Sequence, residues 1–344
     1  MSSESADRSA ADRQGGKTPD CAGVRPFDFR APLRLSGRLT LPGRAVLSPL
    51  QGVMTRTFLQ AAAQLDLIPL WFTPFFSTGG VSVPKRAAIL RKLAPYRVRP
   101  DLPLVFQLIG HDARSLAATA AGFGEYGVHG INLNFACPSK TVTASGNGSY
   151  LLKSPETLFE LTRAVVEAVP DDVSVSVKLR AGWDSPDSIR EIVRAVCDVG
   201  ADWIVFHYRT AAEMYRPADA SERLRRIACA VDAAGDVPVF GNGDISSCAD
   251  ARALVTTTGC AGVAVGRGFL SDPWLVRRIL SGDPNPASDE EKNAFLRLLM
   301  AGTDSTRRGR NWFLECVKMT YGADSAEFRE ARESAWDALR ARWS

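Results

Sequence analysis

Residues 130–140 read Gly-Ile-Asn-Leu-Asn-Phe-Ala-Cys-Pro-Ser-Lys, and a glycine-rich turn, Ser-Gly-Asn-Gly-Ser-Tyr-Leu-Leu, follows at 145–152. In the first stretch apolar residues alternate with Asn132 and Asn134, so a β-strand would place both amides on one face. Cys137 comes just after this strand, where the next residue, a proline, ends the pairing. An isolated cysteine beside a turn is usually a buried structural residue. The amides and the lysine around this one favour an active-site loop instead.

Short apolar runs of this kind occur eight times along the chain, and helix-like stretches separate them. The runs cover residues 45–50, 68–73, 104–109, 130–135, 173–179, 203–207, 237–241 and 262–266, and the helical stretches include 115–126, 155–169, 188–199, 223–234 and 249–257. Such an alternation is typical of parallel strands that are buried on both faces. Eight units in roughly 240 residues predict a (β/α)8 TIM barrel. A doubly wound open sheet is the alternative, but the Gly-x-Gly-x-x-Gly motif expected after an early strand is missing.

The composition divides the chain into three parts. Residues 1–35 are rich in Ser, Ala, Asp, Arg and Gly without an apolar period, which predicts a disordered leader. The predicted barrel spans residues 36–282 and ends in a segment rich in Pro, Gly, Ser and Asp. Residues 283–344 are helical in character, and Ser288 followed by Glu291 matches a capping box. This last part is predicted to be a small helical domain.

The whole-chain composition limits the class of protein. Of the 344 residues 45% are hydrophobic, and the first residues lack the apolar core of a signal peptide. No uncharged apolar run reaches about 18 residues, the length of a membrane span. The seven cysteines form no Cys-x-x-Cys pair and have no histidine beside them, which argues against a disulfide framework and a metal site. We therefore expect a cytoplasmic, monomeric protein without bound metal. The net charge of +4 is too small to indicate a nucleic-acid partner by itself.

Polar residues and glycines follow nearly every predicted strand. Barrel enzymes place their chemistry at the carboxyl ends of the strands, so these residues would meet at one rim. Asn-Gly-Asp at 242–244 and Gly-Arg-Gly at 266–268 follow the last two strands. Each alone would be a tight turn, but two on adjacent strands favour a phosphate site. Gln107, Lys178 and His207 come from three other strands, and they provide the amide and the cation that a flavin ring requires.

Six motifs of this chain together resemble those of the tRNA-dihydrouridine synthases. They are Asn-x-Asn-x-x-Cys-Pro at 132–138, Gly-Asn-Gly-Ser-x-Leu-Leu at 146–152, Val-Lys-Leu-Arg-x-Gly-Trp-Asp at 177–184, His-x-Arg-Thr at 207–210, Gly-Asn-Gly-Asp-Ile at 241–245 and Gly-Arg-Gly-x-Leu-x-x-Pro-Trp at 266–274. The resemblance covers residues 44–280. It implies a (β/α)8 barrel that binds FMN, a C-terminal helical domain that helps to hold tRNA, and NADPH as the reductant. Pro-Ser-Lys-Thr-Val at 138–142 and Tyr-Arg-Pro at 215–217 are similar to the bacterial subfamily that reduces the uridine at tRNA position 16.

The resemblance also implies roles for individual residues. Reduced flavin would pass a hydride to C6 of a flipped-out uracil, and Cys137 would protonate C5 from the opposite face. The implied flavin contacts are Pro49, Gln51, Gln107, Lys178, His207, Asn242, Gly243, Asp244, Gly266 and Arg267. The implied substrate contacts in the barrel are Asn134, Lys140, Arg180 and Arg209.

The helical tail contains one local basic cluster. Arg307, Arg308 and Arg310 precede Trp312, and an aromatic ring among cations could stack on a base. We therefore add Arg307 and Arg310 to the predicted substrate contacts. The alternative is a solvated helix start with Trp312 in the core of the tail.

Several positions depart from the pattern of the family. Leu50-Gln51 replaces the usual methionine and its neighbour, Pro74 replaces an acidic residue, Ala136 replaces a glycine, and Ala144 stands where a basic or amide side chain is common. None of these changes removes a predicted catalytic atom. Three functions therefore stay open: a flavin-dependent tRNA-uridine reductase, an RNA-binding barrel with impaired turnover, and a flavin oxidoreductase that acts on a small molecule.

Overall fold

The computed structural model describes residues 27–78, 85–217 and 219–343, and a rolled sheet of parallel strands lies at its centre. A hairpin of β1 (Leu33–Arg34) and β2 (Thr40–Leu41) precedes this sheet. The sheet contains β3 (Ala45–Leu47), β4 (Trp71–Phe72), β5 (Phe76–Ser77), β6 (Leu104–Ile109), β7 (Gly130–Asn134), β8 (Ser174–Arg180), β9 (Trp203–His207), β10 (Val239–Asn242) and β11 (Gly262–Val265). The short β5 pairs only with the end of β6.

The other eight strands form a nearly closed barrel. They follow the order β3-β11-β10-β9-β8-β7-β6-β4, and every neighbouring pair is parallel. Each predicted apolar run overlaps one of these strands, so the prediction of a (β/α)8 barrel is confirmed. The register pairs Asn134 with Lys178 and Arg180 with His207. Polar residues of β7, β8 and β9 therefore meet at one rim.

Helices surround the barrel and connect its strands. They are α1 (Arg56–Gln64), α2 (Arg86–Leu93), α3 (Ala113–Glu125), α4 (Lys140–Thr143), α5 (Pro155–Val166), α6 (Ile189–Cys197), α7 (Ala220–Ala234), α8 (Cys248–Thr258), α9 (Gly268–Ser271) and α10 (Leu275–Ser281). Side chains cap several of them: Asp112 accepts the N–H of Ser115 at 2.8 Å, and Ser154 accepts that of Thr157 at 3.2 Å. The five predicted helical stretches coincide with α3 and α5 to α8. None of the helices in the described ranges has the length and apolar character that a membrane crossing requires.

The barrel interior changes from apolar to polar along the strands. Near the amino ends of the strands the interior is a fully buried cluster of Val46, Phe72, Val105, Trp203, Val205, Phe240 and Ala264. Leu39 and Leu41 of the hairpin belong to this cluster, so the hairpin closes the barrel at the amino ends of the strands. Above it, the inward-facing positions carry amides such as Gln107, Asn132 and Asn242. Because apolar side chains fill one end, the other end is free for a polar site.

Part of the predicted disordered leader, residues 1–35, is ordered. Residues 1–26 lie outside the described residues, but residues 27–35 are folded against the barrel. Phe29 is buried and its carbonyl accepts the N–H of Arg44 at 2.7 Å. Arg30 donates from Nε to the carbonyl of Leu280 at 3.2 Å. Buried apolar surface and these hydrogen bonds hold residues 27–35 on the barrel. The polar composition of the segment gave no sign of either.

Four further helices, α11 (Asp289–Ala301), α12 (Arg307–Tyr321), α13 (Ala326–Glu333) and α14 (Trp336–Arg342), form the C-terminal tail. The predicted capping box is present at the start of α11. Phe295 of this helix packs edge-to-face on Phe58 of α1, with ring centroids 5.5 Å apart. Trp312 donates from Nε1 to the carbonyl of Val53 at 3.2 Å. The tail therefore packs on the outside of the barrel, and its role as a tRNA-binding domain over residues 283–344 stays a prediction.

Candidate active site

A cavity of ≈ 750 Å³ opens at the carboxyl ends of the barrel strands. Its volume falls in the range of about 300–1,000 Å³ that is common for small-molecule and cofactor sites. The predicted site residues that line it are Pro49, Gln51, Gln107, Asn134, Cys137, Lys178, Arg180, His207, Asn242, Gly243, Asp244, Gly266 and Arg267. Within the described ranges no group of three or more His, Cys, Asp or Glu side chains could hold a metal ion.

The loop that carries Cys137 is held from both sides. On one side, the side-chain oxygen of Asn134 accepts the backbone N–H groups of Ala136 and Cys137, both at 3.0 Å. On the other, Ser149 donates its N–H and its hydroxyl to the carbonyl of Cys137, again at 3.0 Å. Gly148 has φ +60°, and a Cβ there would lie 2.7 Å from the same carbonyl oxygen. The glycine-rich turn thus fixes the position of the thiol.

A chain of buried amides continues from this loop into the barrel. Asn134 donates from Nδ2 to Oε1 of Gln107 at 3.0 Å, and Gln107 donates from Nε2 to Oδ1 of Asn132 at 2.7 Å. Asn132 in turn donates to the hydroxyl of Ser176 at 2.8 Å. The chain joins β6, β7 and β8. Because buried amides lose water, each of these hydrogen bonds is needed to avoid an unsatisfied polar group.

Arg180 joins the Cys137 loop to the loop after β9. Its buried guanidinium donates from Nε to the carbonyl of Ala136 at 2.9 Å. From Nη1 it donates to the carbonyls of Thr210 and Met214 at 2.9 and 3.0 Å. Met214 has φ +54°, in the left-handed region that a non-glycine residue rarely adopts. Arg180 therefore positions both loops as well as lining the cavity.

Lys178 and His207 both line the cavity, and burial lowers the pKa of each. The Nζ of Lys178 lies 3.4 Å from Oδ1 of Asn242, and in the described ranges no carboxylate lies within ion-pair distance of it. Burial, and then the charge of Arg180, lower the pKa of Lys178 to about 7. Burial and the surrounding cations, led by Arg180 and Lys178, also lower the pKa of His207 well below its ordinary value. His207 is therefore neutral, and its Nδ1 accepts the N–H of Arg209 at 3.2 Å.

Arg209 is not available to RNA, contrary to the prediction. Its side chain is only 2% exposed, and its terminal nitrogens donate to the carboxylate of Asp244 at 3.0 and 2.6 Å. Its Nε donates to the carbonyl of Arg216 at 2.6 Å, and the hydroxyl of Tyr208 also donates to Asp244. Burial would raise the pKa of Asp244, but the hydrogen bonds from Arg209 and Tyr208 outweigh burial and lower it. The ion pair of Arg209 and Asp244 therefore stabilises the loops at the rim.

The turns after β10 and β11 form another part of the cavity wall. Gly243 and Asp244 both have positive φ, +115° and +50°. A Cβ on Gly268 would lie 2.0 Å from the carbonyl of Ile245, so this glycine lets the two turns pack together. A Cβ on Gly266 would meet only Nδ2 of Asn242, at 4.0 Å, which leaves open space. Arg267, whose side chain is 59% exposed, supplies charge beside this space. A cradle of this kind fits a phosphate group.

Three predicted substrate residues lie away from the cavity. Lys140 is exposed at the start of α4, and Arg307 is exposed at the start of α12. Arg310 donates from Nη2 to the carbonyls of Ser334 and Arg332, at 2.7 and 3.3 Å. It therefore satisfies carbonyls at the end of α13. Lys140 and Arg307 stay predictions, whereas Arg310 has a structural partner inside the tail.

Tyr215 and Met319 are among the residues of the cavity wall that were missing from the predicted site. Tyr215 is 53% exposed, and its ring centroid lies 5.5 Å from the guanidinium carbon of Arg180 and 5.1 Å from that of Arg267. Its place in the Tyr-Arg-Pro motif was a usable signal. Met319 of α12 brings the tail to the cavity. No signal marks this methionine, because its position depends on how the tail packs on the barrel.

Comparison with known proteins agrees with this geometry. The Dihydrouridine synthase (Dus) family profile matches residues 46–310. The tRNA-dihydrouridine(16) synthase of Cupriavidus necator is 39% identical over 208 residues, 60% of this chain and 62% of that protein. The protein with the same name from Aquipseudomonas alcaligenes is 34% identical over 302 residues, 83% of this chain and 94% of its own length.

Among solved structures, morphinone reductase superposes with a TM-score of 0.54 at 14% identity, over 80% of this chain and 94% of its own. The old yellow enzyme from Trypanosoma cruzi gives a TM-score of 0.53 at 13% identity, over 77% of this chain and 95% of its own. At such low identity these two share the barrel fold alone. The family match covers most of the chain, and so the chain belongs to the dihydrouridine synthase family.

Proposed function

We propose that this protein is a flavin-dependent tRNA-dihydrouridine synthase, an oxidoreductase that converts a uridine of tRNA to 5,6-dihydrouridine. FMN is its cofactor and NADPH its reductant. One observation carries the proposal: the thiol of Cys137 lines the same cavity as the cation of Lys178 and the open turn at Gly266. The family of the chain supports the reaction, and the names of the bacterial relatives support tRNA as the substrate.

The residues of the cavity fit a flavin mononucleotide. Gln107, Lys178 and Asn242 would hold the polar edge of the ring, and the turns at Gly243 and Gly266 would hold the phosphate. When bound, the flavin supplies the hydride for C6 of uracil. Lys178 has no carboxylate partner among the described side chains, so an anionic edge would stabilise its charged form and raise its pKa.

Cys137 acts as the general acid that protonates C5 of the uracil. A proton donor must lie within hydrogen-bond reach of the reacting atom. Asn134, which accepts the N–H of Cys137, and Ser149, which donates to the carbonyl of Cys137, hold the loop that carries this donor. Arg180 and Tyr215 line the mouth on the same side and would contact the base. A single-stranded base commonly stacks on an aromatic ring or a guanidinium plane.

Outside the cavity, Lys140 and Arg307 are exposed cations that would contact the tRNA backbone. Phosphate contacts position an RNA without reading its sequence. We assign the target to position 16, since both relatives described above carry that position in their names. The Pro-Ser-Lys-Thr-Val and Tyr-Arg-Pro motifs agree with this assignment.

Nucleoside mass analysis of tRNA from a strain that lacks the gene tests the proposal. We expect dihydrouridine to disappear from a single position, 16, and to return when the wild-type gene is restored but not the Cys137→Ala variant. Dihydrouridine at an unchanged level would contradict the function. A protein whose reduced flavin reacts with small enones but not with unmodified tRNA would instead be a small-molecule reductase.

A further inference from the structure

We propose that Tyr150, Lys153 and Trp183 form a rim platform that binds the unpaired nucleotide next to the target uridine. The inference rests on the proposed function, since it assumes an RNA substrate. The platform lies outside the cavity: its three residues are absent from the cavity lining. It would therefore contact a part of the RNA other than the reacting base.

The three side chains form one compact cluster. Lys153 Nζ lies 4.4 Å from the ring centroid of Tyr150 and 4.4 Å from that of Trp183. The two rings are 5.8 Å apart at an interplanar angle of 74°, an edge-to-face arrangement. Tyr150 is 42% exposed and Lys153 is exposed as well. The exposed ring of Tyr150 and the cation of Lys153 are thus presented together to solvent, beside the half-buried ring of Trp183.

The cluster is adjacent to residues that hydrogen-bond to the Cys137 loop and to the loop after β9. Tyr150 follows Ser149, which donates twice to the carbonyl of Cys137. Trp183 lies in the loop after β8, and its carbonyl accepts the N–H of Ala212 at 2.8 Å. The platform therefore lies beside the mouth of the cavity, on the side of Cys137, and joins the glycine-rich turn to the loops after β8 and β9.

An RNA whose uridine has entered the cavity must place its neighbouring nucleotides on the rim. Those nucleotides have lost a stacking partner, and an exposed aromatic ring replaces it. Stacking on a protein ring contributes about 1–3 kcal/mol per base and tolerates any sequence. Lys153 adds a cation for the phosphate between the two nucleotides. Lys140 is exposed on α4, which packs on the same turn, and extends the positive surface.

The test compares tRNA binding and turnover in the full-length holoenzyme. The variants are Tyr150→Ala, Tyr150→Phe and Lys153→Met. The control is Phe159→Ala, which removes a similar cation–π pair, with Arg163 at 5.4 Å, from the outer helix α5. We expect Tyr150→Ala to weaken binding of unmodified tRNA about tenfold, with kcat and the rate of flavin reduction by NADPH nearly unchanged. Tyr150→Phe and the control should bind like the wild type, and Lys153→Met should lose part of the affinity.

The outcomes separate the platform from the function. Wild-type affinity in Tyr150→Ala would overturn the platform and leave the function intact. A fall in kcat and in melting temperature with unchanged affinity would also overturn the platform. The cluster would then only stabilise the loops after β7 and β8. If the wild type binds tRNA without reducing it, while Tyr150→Ala loses affinity, the platform is supported and the proposed function fails.

Discussion

The side-chain oxygen of Asn134 accepts the backbone N–H of Cys137 at 3.0 Å. The same oxygen accepts the N–H of Ala136, so one amide turns the chain at the end of β7 and directs the thiol into the cavity. The other end of that amide donates to Gln107, which also lines the cavity. Asn134 therefore links the proposed proton donor to a proposed flavin contact.

Asn134→Ala should lower turnover far more than flavin content. The substitution removes the acceptor for two N–H groups, and a displacement of about 1 Å can reduce a rate about 10²-fold. Asn134→Asp keeps the acceptor and should retain more activity. Single-turnover reoxidation of the reduced flavin by tRNA measures the effect. Equal rates in the alanine variant and the wild type would show that Asn134 does not position the thiol.

Two glycines of the turn provide a matched pair. Gly148→Ala places a Cβ 2.7 Å from the carbonyl of Cys137, whereas Gly146, with φ +73°, has no atom within 4 Å of such a Cβ. Both variants should lose about 1–2 kcal/mol of stability from the left-handed backbone. Only Gly148→Ala should also lose most of its turnover, as measured at saturating tRNA. The account would be wrong if both variants turned over at the same rate.

The carboxylate of Asp244 pairs with a buried and an exposed arginine. Asp244→Asn leaves the charge of Arg209 buried without a carboxylate partner and should cost about 2–4 kcal/mol in the free energy of unfolding. Arg267→Ala, which removes the exposed partner at 3.5 Å, should change it by less than about 0.5 kcal/mol. Urea denaturation of both variants checks this ranking, and comparable losses would refute it.

Asp244 also makes the stability of the protein depend on pH, with stability falling as the pH falls. Its pKa is lowered in the folded protein, so its contribution to stability is full above its ordinary pKa and is lost as the pH falls through the lowered value. Asp244→Asn should therefore lose less stability on acidification than the wild type does. Denaturation curves between neutral and acidic pH would show the difference.

Lys178 predicts a dependence of the same sign, at higher pH, in the flavin-free protein. Its pKa of about 7 lies below its ordinary value of 10.5. Between these values the unfolded chain binds a proton that the folded chain does not, so stability rises with pH. Lys178→Met should remove most of this rise, which urea denaturation at several pH values would measure. An unchanged rise in the variant would mean that Lys178 is not the group responsible.

The sequence was sufficient for the barrel and for half of the residues that line the cavity. Alternating apolar runs with polar ends predicted the eight barrel strands and the polar residues at their carboxyl ends, because period and strand direction are local properties. Gln107, Lys178 and Cys137 were found in this way, and each one lines the cavity. The capping box at Ser288 was equally local, since its two residues are three positions apart.

Long-range partners explain the residues that were predicted less well. Arg209 has the type and position of an RNA contact, but Asp244, 35 positions away, occupies its guanidinium. Arg310 is occupied by the end of α13 in the same manner. Phe29 packs on the barrel despite a polar neighbourhood, and Met319 reaches the cavity only through the packing of the tail. A single sequence does not encode such pairings in any local pattern.

Stopped-flow measurement of flavin reoxidation under anaerobic conditions tests the central claim most directly. The NADPH-reduced wild type and its Cys137→Ala variant are each mixed with tRNA that lacks dihydrouridine. We predict the same flavin content and the same rate of reduction by NADPH in both. Reoxidation by tRNA should be fast in the wild type and about 10²- to 10⁴-fold slower in the variant, the usual contribution of a general acid. Equal reoxidation in the two proteins, or none in the wild type, would contradict the account.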